Sequence, residues 1–481
     1  MRVLLVQPPF TIFKTEPKRC HPPLGLAYLA AVLKRHHEVF VLDALAEGYG
    51  KNEFIGREFI RYGLPFVDIK RKIEYIKPDI VGISCLFSAQ FENVVNICSI
   101  AKEIDRKIIT VVGGAHPSAI PQEMMGYEDI DFIIIGEGEC TLINLLECIE
   151  NQKDIHKEAI DGLGFRTGGQ IQINQKKRYL EDLDSIAYPA WEMFPLESYF
   201  KINSPHGGRA KNACFMPMIT SRGCPFECIF CSVHNLWGRN YRKRSAENTL
   251  KEIEYLINRF GVKEILFEDD NLTFDKIRAQ EIFTGIANRK LNISWSTPNG
   301  IAARNLDSEM LELMKLSGCH SISIGVESGD EDVLKKIIKK PVTLEEVKHI
   351  INKAKKIGLH TVSFFVVGFP GETPLQLKNT FRYAENLGAD NANFFFATPL
   401  PGTRLLELCR ERKFIGDAVD YRRLKSDFTS FSTEFFSANK LNFVVSLEKI
   451  KMHLLYLLKN PKKFTHRLFR KLLHEPGYFF R

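Results

Sequence analysis

No apolar run in this sequence of 481 residues reaches the about 18 residues that a membrane-spanning helix needs. The eleven cysteines form no extracellular disulfide pattern, and most are expected to be small buried apolar residues. The chain opens on a strand-like run, Met1 to Val6, without the pattern of a signal peptide. These absences predict a protein of the reducing cytoplasm.

Excess positive charge is confined to the C-terminal segment. The formal net charge is +8, and residues 448–481 carry nine Lys or Arg against two Glu, which leaves a net charge of +1 for the rest of the chain. A nucleic-acid enzyme with a basic active-site face is therefore not expected. The length predicts two to four domains.

Five apolar, strand-like runs alternate with helix-like segments over residues 1–150. Continuous apolar strands between amphipathic helices are typical of a parallel sheet covered on both faces, and five of them predict a doubly wound, flavodoxin-like α/β domain. Ligands of such sheets bind at the carboxyl ends of the strands. Those ends carry Gln7, Ser84, Gly113, Gly114, His116, Gly136 and Glu137.

Six further strand-like runs recur over residues 213–410, and an amphipathic segment follows each of the first five. This pattern predicts a partial parallel (β/α)6 barrel, whose site would lie at the carboxyl ends of its strands. Carboxylates follow two of those strands: Glu268, Asp269 and Asp270 follow the second, and Glu327 follows the fourth.

Two segments carry no chemistry that the sequence identifies. Residues 151–212 are predicted to be a connector that contains a hairpin around Gly168-Gly169. Residues 411–481 are predicted to be a helical extension with two basic amphipathic helices, the first around Phe443 to Leu457. We expect these helices to cap the barrel or to lie on an anionic membrane surface, and the two are compatible.

The first barrel strand leads into Cys224, Cys228 and Cys231, at Cys-x3-Cys-x2-Cys spacing. Thiolate ligands favour zinc or an iron-sulfur cluster. With His234 they would form a closed Cys3His zinc site. Alternatively, the three cysteines hold a four-iron cluster and leave its fourth iron open to a small molecule.

The cysteine spacing, with Phe230 as the aromatic residue before the third cysteine, resembles that of the radical S-adenosylmethionine (SAM) superfamily. The resemblance implies that SAM binds the open iron of a [4Fe-4S] cluster. An electron from the cluster then cleaves SAM to a 5′-deoxyadenosyl radical. The resemblance also implies that Glu268, Asp269 and Asp270 bind the amino group of SAM and that Glu327 approaches its ribose.

The first domain resembles the cobalamin-binding domain that precedes the barrel in one large radical SAM subgroup. The landmarks are Gln7-Pro8-Pro9, Leu24 to Ala30, Gly113-Gly114-x-His116 and Gly136-Glu137-Gly138-Glu139. The Asp-x-His-x-x-Gly motif that supplies a histidine to cobalt is absent, so we expect cobalamin to bind without a protein histidine ligand. His116 is the only candidate in the right region, and a role in loop structure is the preferred interpretation.

The resemblance covers about residues 1–410 and implies an oxygen-sensitive, cobalamin-dependent enzyme that methylates an unactivated carbon of a small molecule. A lipid-like substrate would suit the basic tail. Flavodoxin or ferredoxin is the expected kind of electron donor. A radical ring-forming or oxidative enzyme, like the anaerobic porphyrin-ring cyclases, is the alternative within this subgroup. A zinc-stabilised, non-catalytic binding protein is the alternative outside it.

Overall fold

The structure, a computed structural model, describes residues 1–151, 156–207, 210–416 and 419–459. The first domain comprises β1 (Arg2–Gln7), β2 (Phe10–Phe13), α1 (Leu24–Leu33), β3 (Glu38–Asp43), α2 (Ala44–Glu47), β4 (Asn52–Ile55), β5 (Phe59–Tyr62), α3 (Phe66–Ile76), β6 (Ile80–Ser84), α4 (Phe91–Ile104), β7 (Ile109–Gly113), α5 (Ala115–Ala119), α6 (Pro121–Met125), β8 (Phe132–Ile134) and α7 (Gly138–Asn151). Its parallel strands pair in the order β3-β1-β6-β7-β8, which is the flavodoxin order. The predicted doubly wound sheet is confirmed.

The segment after this domain contains β9 (Leu163–Thr167), β10 (Gln170–Ile173) and α8 (Leu196–Ile202). Gly168 and Gly169 have φ values of +55° and +79°, as the tight turn of the predicted hairpin requires. Strand β9 pairs antiparallel with β8, so the hairpin extends the first sheet. The predicted hairpin is present and pairs with the first sheet, and the limits of the connector, residues 151–212, stay a prediction.

A second, antiparallel sheet in the first domain was not predicted. It consists of β2, β5 and β4, with β5 in the centre. Each strand has four residues, and Phe54 of β4 leaves 72% of its surface exposed. Strands this short show too little apolar alternation for the sequence to indicate them.

The second domain comprises β11 (Phe215–Met218), β12 (Ser221–Arg222), α9 (Val233–Trp237), β13 (Arg242–Lys243), α10 (Ala246–Phe260), β14 (Glu264–Phe267), α11 (Lys276–Asn288), β15 (Ser294–Ile301), α12 (Ser308–Leu316), β16 (Cys319–Glu327), α13 (Leu344–Lys356), β17 (His360–Val367), α14 (Pro374–Leu387), β18 (Asn391–Phe396), α15 (Arg404–Glu411) and α16 (Ala438–Lys459). Six parallel strands pair in the order β11-β14-β15-β16-β17-β18. The sheet is open between β11 and β18, so the predicted partial barrel is confirmed.

Local sequence signals set the limits of the barrel helices. Ser245 caps α10, and Gly261 ends it with a φ of +66°. Thr343 and Glu346 form a capping box at the start of α13. Between helices and strands, the Trp295 ring stacks on Phe283 with ring centroids 4.7 Å apart.

Helix α16 packs beside β18, at the open side of the barrel. Its Leu441 and Val445 are buried, and Leu441 lies against Gly368 at the end of β17. The predicted second basic helix, after Pro461, lies outside the described residues. No helix in the described ranges is both long enough and apolar enough to cross a membrane.

Candidate functional site

The three cysteines lie in a loop whose two ends are joined by a short ribbon. Strands β12 and β13 pair antiparallel, with Arg222 opposite Arg242, and enclose residues 223–241. Gly223 starts the loop with a φ of +87°, and a Cβ there would lie 2.2 Å from the Asn240 carbonyl oxygen. Only glycine fits this close approach of the two chains.

Backbone hydrogen bonds attach the loop to the barrel. The Ile229 amide donates to the Ile338 carbonyl at 3.2 Å, and the Ile229 carbonyl accepts from the Leu405 amide at 2.9 Å. The Phe230 ring lies 5.9 Å from that of Phe369. The aromatic residue of the cysteine motif thus packs on the loop that follows β17.

The cysteine sulfurs are partly buried thiols. Burial raises the pKa of Cys228 to about 11 and that of Cys231 to about 12, so both thiols are protonated near neutral pH. Binding of a metal to either sulfur displaces that proton. Among the described residues, no three His, Cys, Asp or Glu side chains are grouped to hold a single metal ion. His234 Nε2 donates to the Phe226 carbonyl at 2.8 Å, and His234 Nδ1 is buried without a hydrogen-bond partner among the described residues.

The acidic residues after β14 differ sharply in their surroundings. Both oxygens of Asp269 accept hydrogen bonds from the Thr220 amide, and Oδ1 also accepts from the hydroxyls of Thr220 and Ser221. Asp270 Oδ2 is buried and has no hydrogen-bond partner among the described residues. Glu268 accepts from His206 Nδ1 at 3.1 Å. Asp269 therefore fixes the strand end, whereas Asp270 has a free acceptor.

The free oxygen of Asp270 fits a cationic ligand beside the cysteines. Burial, followed by the charges of Asp269 and Glu268, raises the pKa of Asp270 to about 7. Burial and, to a smaller extent, the Asp270 charge raise the pKa values of Cys224 and Cys231. An ammonium group bound here would satisfy the unpaired oxygen and favour its ionised form.

Glu327 ends β16 in a strained conformation, with a φ of +69°. Its Oε1 accepts from the buried Lys340 Nζ at 2.5 Å. Burial opposes the charge on Lys340, but Glu327, followed by Cys228 and Cys231, raises its pKa above the usual value. The structure therefore places the predicted Glu327 near the cysteines, together with a lysine that the sequence did not indicate.

A cavity of about 1620 Å³ runs through the barrel. It reaches from Phe230 and Glu327 at the carboxyl ends of the strands to Glu264 and His320 near their amino ends. Small polar side chains face it from β15 and β16, and aromatic side chains face it from β17 and β18; they include Ser296, Ser321, Ser323, Phe364, Phe395 and Phe396. Met452 and Leu455 of α16 line it at the open side of the barrel.

The carboxyl edge of the first sheet carries four of the predicted cobalamin residues: Gln7, Ser84, Gly113 and Gly114. Gly114 has a φ of +118°, and a Cβ there would lie 2.7 Å from the Cys85 carbonyl oxygen. Beyond β6, Leu86 and Phe87 expose 44% and 45% of their surfaces. This exposed apolar surface at a ligand-binding edge fits a large, flat cofactor.

His116 is buried beneath aromatic rings. Its Nδ1 lies 3.0 Å from Ser88 Oγ, and its ring is 4.8 Å from that of Tyr421. Burial lowers its pKa to about 4. These contacts agree with a role in loop structure.

Gly136 and Glu137 face the second domain. A Cβ on Gly136 would lie 3.3 Å from the carbonyl oxygen of Leu236, in the cysteine loop. Glu137 Oε1 accepts from the guanidinium groups of Arg222 and Arg242. These two residues, at the carboxyl end of β8, thus contact the cysteine loop and the ribbon that closes it.

Sequence reasoning missed Lys340, His206 and the partners of Glu137. Lys340 follows a π-helical turn (Val333–Ile338), and no motif or spacing indicates it. His206 lies in the connector, 62 positions before its partner Glu268. Arg222 stands two residues before the first cysteine, and this proximity was the one signal available.

Two family models match the chain, the B12 binding domain over residues 11–146 and the Radical SAM superfamily over residues 218–384. Cytidylyl-2-hydroxyethylphosphonate methyltransferase of Streptomyces wedmorensis is 33% identical in an alignment of 444 residues that covers 86% of this chain and 82% of that protein. The anaerobic magnesium-protoporphyrin IX monomethyl ester cyclase of Rubrivivax gelatinosus is 28% identical in an alignment of 454 residues that covers 93% of this chain and 74% of the cyclase.

A solved structure shares the fold. It is that of the radical SAM methyltransferase TsrM of Kitasatospora setae with cobalamin and a [4Fe-4S] cluster bound. The TM-score is 0.66 at 18% identity, and the match covers 87% of this chain and 76% of TsrM.

A flavodoxin-like sheet joined to a partial barrel with a cysteine triplet defines a two-domain radical enzyme. The chain belongs to the family of cobalamin-dependent radical SAM enzymes. The predicted cofactors, a [4Fe-4S] cluster, SAM and cobalamin, are confirmed, and so is the predicted methyltransferase activity. The alternative prediction of a zinc-stabilised, non-catalytic binding protein is wrong, because the chain belongs to a family of enzymes. The cytoplasmic location and the exact domain limits stay predictions.

Proposed function

We propose that this enzyme transfers a methyl group to an unactivated carbon of a substrate held in the barrel cavity. The observation that carries the proposal is the buried, unpaired Asp270 oxygen, which follows the strand paired with β11, the strand that leads into the cysteines. It leaves one acceptor for SAM beside the cluster loop, while the cavity reaches the same strand ends at Glu327. Bound cofactors would supply a 5′-deoxyadenosyl radical and a methyl group on cobalamin.

The protein's own residues hold and orient these groups. Cys224, Cys228 and Cys231 bind the cluster, and Asp270 accepts from the amino group of SAM. Glu327, held by Lys340, accepts from the ribose hydroxyls. The aromatic side chains of the cavity exclude water from the reacting carbon.

For the cobalamin site we propose Gln7, Ser84, Gly113 and Gly114, because they line the free carboxyl edge of the first sheet. His116 and Glu137 are assigned structural roles instead, since His116 Nδ1 contacts Ser88 and Glu137 binds two arginines. His116 Nε2, which has no hydrogen-bond partner among the described residues, lies in a ring that packs on Tyr421. Cobalt then receives no histidine ligand from this chain.

The substrate is proposed to be a molecule with an apolar or aromatic part and several hydrogen-bonding groups. Aromatic rings on one side of the cavity and serines on the other support this choice. The Streptomyces wedmorensis relative acts, by its name, on a cytidylyl-linked phosphonate, a substrate that carries both a ring and polar groups. Ring formation stays the second candidate, because the Rubrivivax gelatinosus relative is a cyclase over a similar length.

A one-electron donor such as flavodoxin or ferredoxin is proposed as a partner, because cluster reduction must precede the cleavage of SAM. A second proposed partner is an anionic membrane surface. The outer face of α16 exposes Phe443, Leu447, Ile450 and Leu454, each with at least half of its surface accessible. The chain that follows, residues 460–481, carries six Lys or Arg and one Glu. An apolar stripe next to positive charge fits anionic lipid.

The deciding experiment is an anaerobic incubation of the reconstituted enzyme with SAM, reductant and cobalamin. Formation of both 5′-deoxyadenosine and S-adenosylhomocysteine supports a methyltransferase that uses SAM in two ways. A substrate that consumes SAM with 5′-deoxyadenosine as the only nucleoside product supports the ring-forming alternative. If neither product forms in protein with a full cluster, the proposal fails.

A further inference from the structure

Two arginines stand at the neck of the cysteine loop, on the paired strands that open and close it. Arg222 and Arg242 face each other in the β12–β13 ribbon. Their side chains are only 3% exposed each. The cysteine loop therefore begins after one buried arginine and ends before another.

Both cations are bound by carboxylates of the first domain. Arg222 Nη1 donates to Glu137 Oε1 at 3.1 Å, and Arg222 Nη2 donates to Glu139 Oε1 at 2.6 Å. Arg242 Nη1 donates to the same Glu137 oxygen at 2.6 Å. One carboxylate, 85 and 105 positions away in the sequence, thus bridges both strands of the ribbon.

Backbone groups complete this cluster of charges. Glu137 Oε2 accepts from the Leu180 amide at 2.8 Å, and Arg242 donates to the carbonyls of Leu180 and Trp237. Trp237 belongs to the loop itself, and its ring lies 4.7 Å from the Arg222 guanidinium. The network therefore touches the neck of the loop and its interior.

The free energy of these buried ion pairs favours a role in fixing the geometry of the ribbon over a role in stability. A buried ion pair adds little net stability over an apolar pair, but the removal of one partner leaves a buried charge unpaired. Four buried, hydrogen-bonded charges thus hold one arrangement of the ribbon against alternatives. The carboxylates follow β8, whose carboxyl end the sequence assigns to cobalamin, yet they point at the cysteine loop.

We infer that Glu137 is a positioning residue for the iron-sulfur cluster: through Arg222 and Arg242 it holds the cysteine loop in the conformation that binds iron. The first domain therefore takes part in cluster assembly. Glu137 does not contact cobalamin in this view. The inference rests on the proposed assignment of the three cysteines as cluster ligands.

The test compares iron and cobalamin in the full-length protein after anaerobic reconstitution and gel filtration. We expect Glu137→Gln to retain about tenfold less iron and labile sulfide than the wild type, as loss of a residue that orients metal ligands does. The reduced cluster should also give an altered electron paramagnetic resonance spectrum. Binding of hydroxocobalamin, measured by equilibrium dialysis, should stay within about twofold of the wild type.

Two further variants guard against a general loss of folding. Glu252→Gln removes a carboxylate that is also buried and paired with an arginine, Arg244, but does not bridge the ribbon. It should keep its iron. Arg222→Lys keeps the charge but cannot reach both carboxylates with a planar fork, and it should lose iron to a smaller extent.

The outcomes separate the possibilities. Loss of cobalamin with full retention of iron in Glu137→Gln would identify Glu137 as a cobalamin contact and overturn the inference. Equal iron loss in Glu252→Gln, or unchanged iron in both Glu137→Gln and Arg222→Lys, would overturn it as well. Cys228→Ala is assayed in parallel. Full iron retention in that variant would mean that the assignment of the cysteines has failed, not the role of Glu137.

Discussion

Asp269 and Asp270 are neighbours in the sequence but have different chemistry in the structure. Asp269 is 1% exposed and accepts hydrogen bonds from the end of the first barrel strand, whereas Asp270 keeps one buried oxygen unpaired. The functional contrast between the two is therefore open to a direct comparison of matched variants.

We expect Asp270→Asn to fold normally and to bind SAM at least about tenfold more weakly, because a charged acceptor for its ammonium group is lost. Asp269→Asn should instead lose stability by about 2–4 kcal/mol, because its amide nitrogen, at the position of Oδ2, would face the donating Thr220 amide. Isothermal titration of SAM into anaerobic reconstituted protein and thermal unfolding of both variants measure the two effects. Normal SAM affinity in Asp270→Asn would remove this residue from the site.

The buried carboxyl group of Glu372 predicts that the stability of the protein depends on pH. Its Oε2 accepts from the amides of Gly368 and Phe369, and its Oε1 is buried without a partner among the described residues. Burial raises its pKa from 4.5 to about 7. Between these pH values the folded protein holds a proton that the unfolded chain has released, so stability falls as pH rises through this window.

Glu372→Gln keeps an oxygen for the two amides and removes the ionisation. Its thermal midpoint should match that of the wild type near pH 5 and exceed it at pH 8. The corresponding gain in the free energy of unfolding at pH 8 is at most about 3 kcal/mol. Thermal unfolding of both proteins over this range measures the effect. If the thermal midpoints of the two proteins change in parallel from pH 5 to pH 8, Glu372 is already ionised at pH 5 in the folded protein, which would contradict its raised pKa.

The sequence predicts which types of residue form the sites, but it does not predict which group each of them contacts. The three cysteines were indicated by spacing alone, because a cluster needs several thiolates in one loop. Glu137 was grouped with the cobalamin edge because it follows a strand of the right sheet. Only the packing of two domains reveals that it binds Arg222 instead, and no local pattern encodes a contact across 85 positions.

Most of the strands and helices followed from the sequence. The buried strands of both sheets are continuous apolar runs, and this pattern is decided locally. The β2–β5–β4 sheet and the attachment of β9 to β8 were missed, because both depend on pairing between short strands.

Helix α16 carries a prediction of its own. Replacement of Leu447 and Leu454 by Glu should leave the fold intact, since both side chains are at least half exposed. Binding of the full chain to phosphatidylglycerol vesicles, measured by flotation, should drop at least about tenfold. Vesicles of phosphatidylcholine alone are the control. Equal flotation of the variant, or no binding by the wild type, would exclude the membrane surface; a change in oligomeric state would identify a second copy as the occupant of this face.

In the whole molecule, the proposed sites of two different cofactors lie at the carboxyl ends of two separate sheets. The proposed cobalamin residues lie on the first sheet, and the cysteines follow the first strand of the barrel. Cys228→Ala should therefore abolish SAM cleavage and lose most of its iron, while it keeps about one cobalamin per chain. Metal analysis and the visible spectrum measure both. Simultaneous loss of cobalamin would show that the two sites do not load independently.

Helix α16, an element that follows every strand and every cysteine of the described chain, lines the cavity at the open side of the barrel. The machinery for radical formation is complete before the chain reaches this helix. A change of substrate during evolution could thus occur by exchange of a C-terminal segment, with the cofactor sites untouched. The same modularity would let an engineer graft the wall of one enzyme onto the barrel of another.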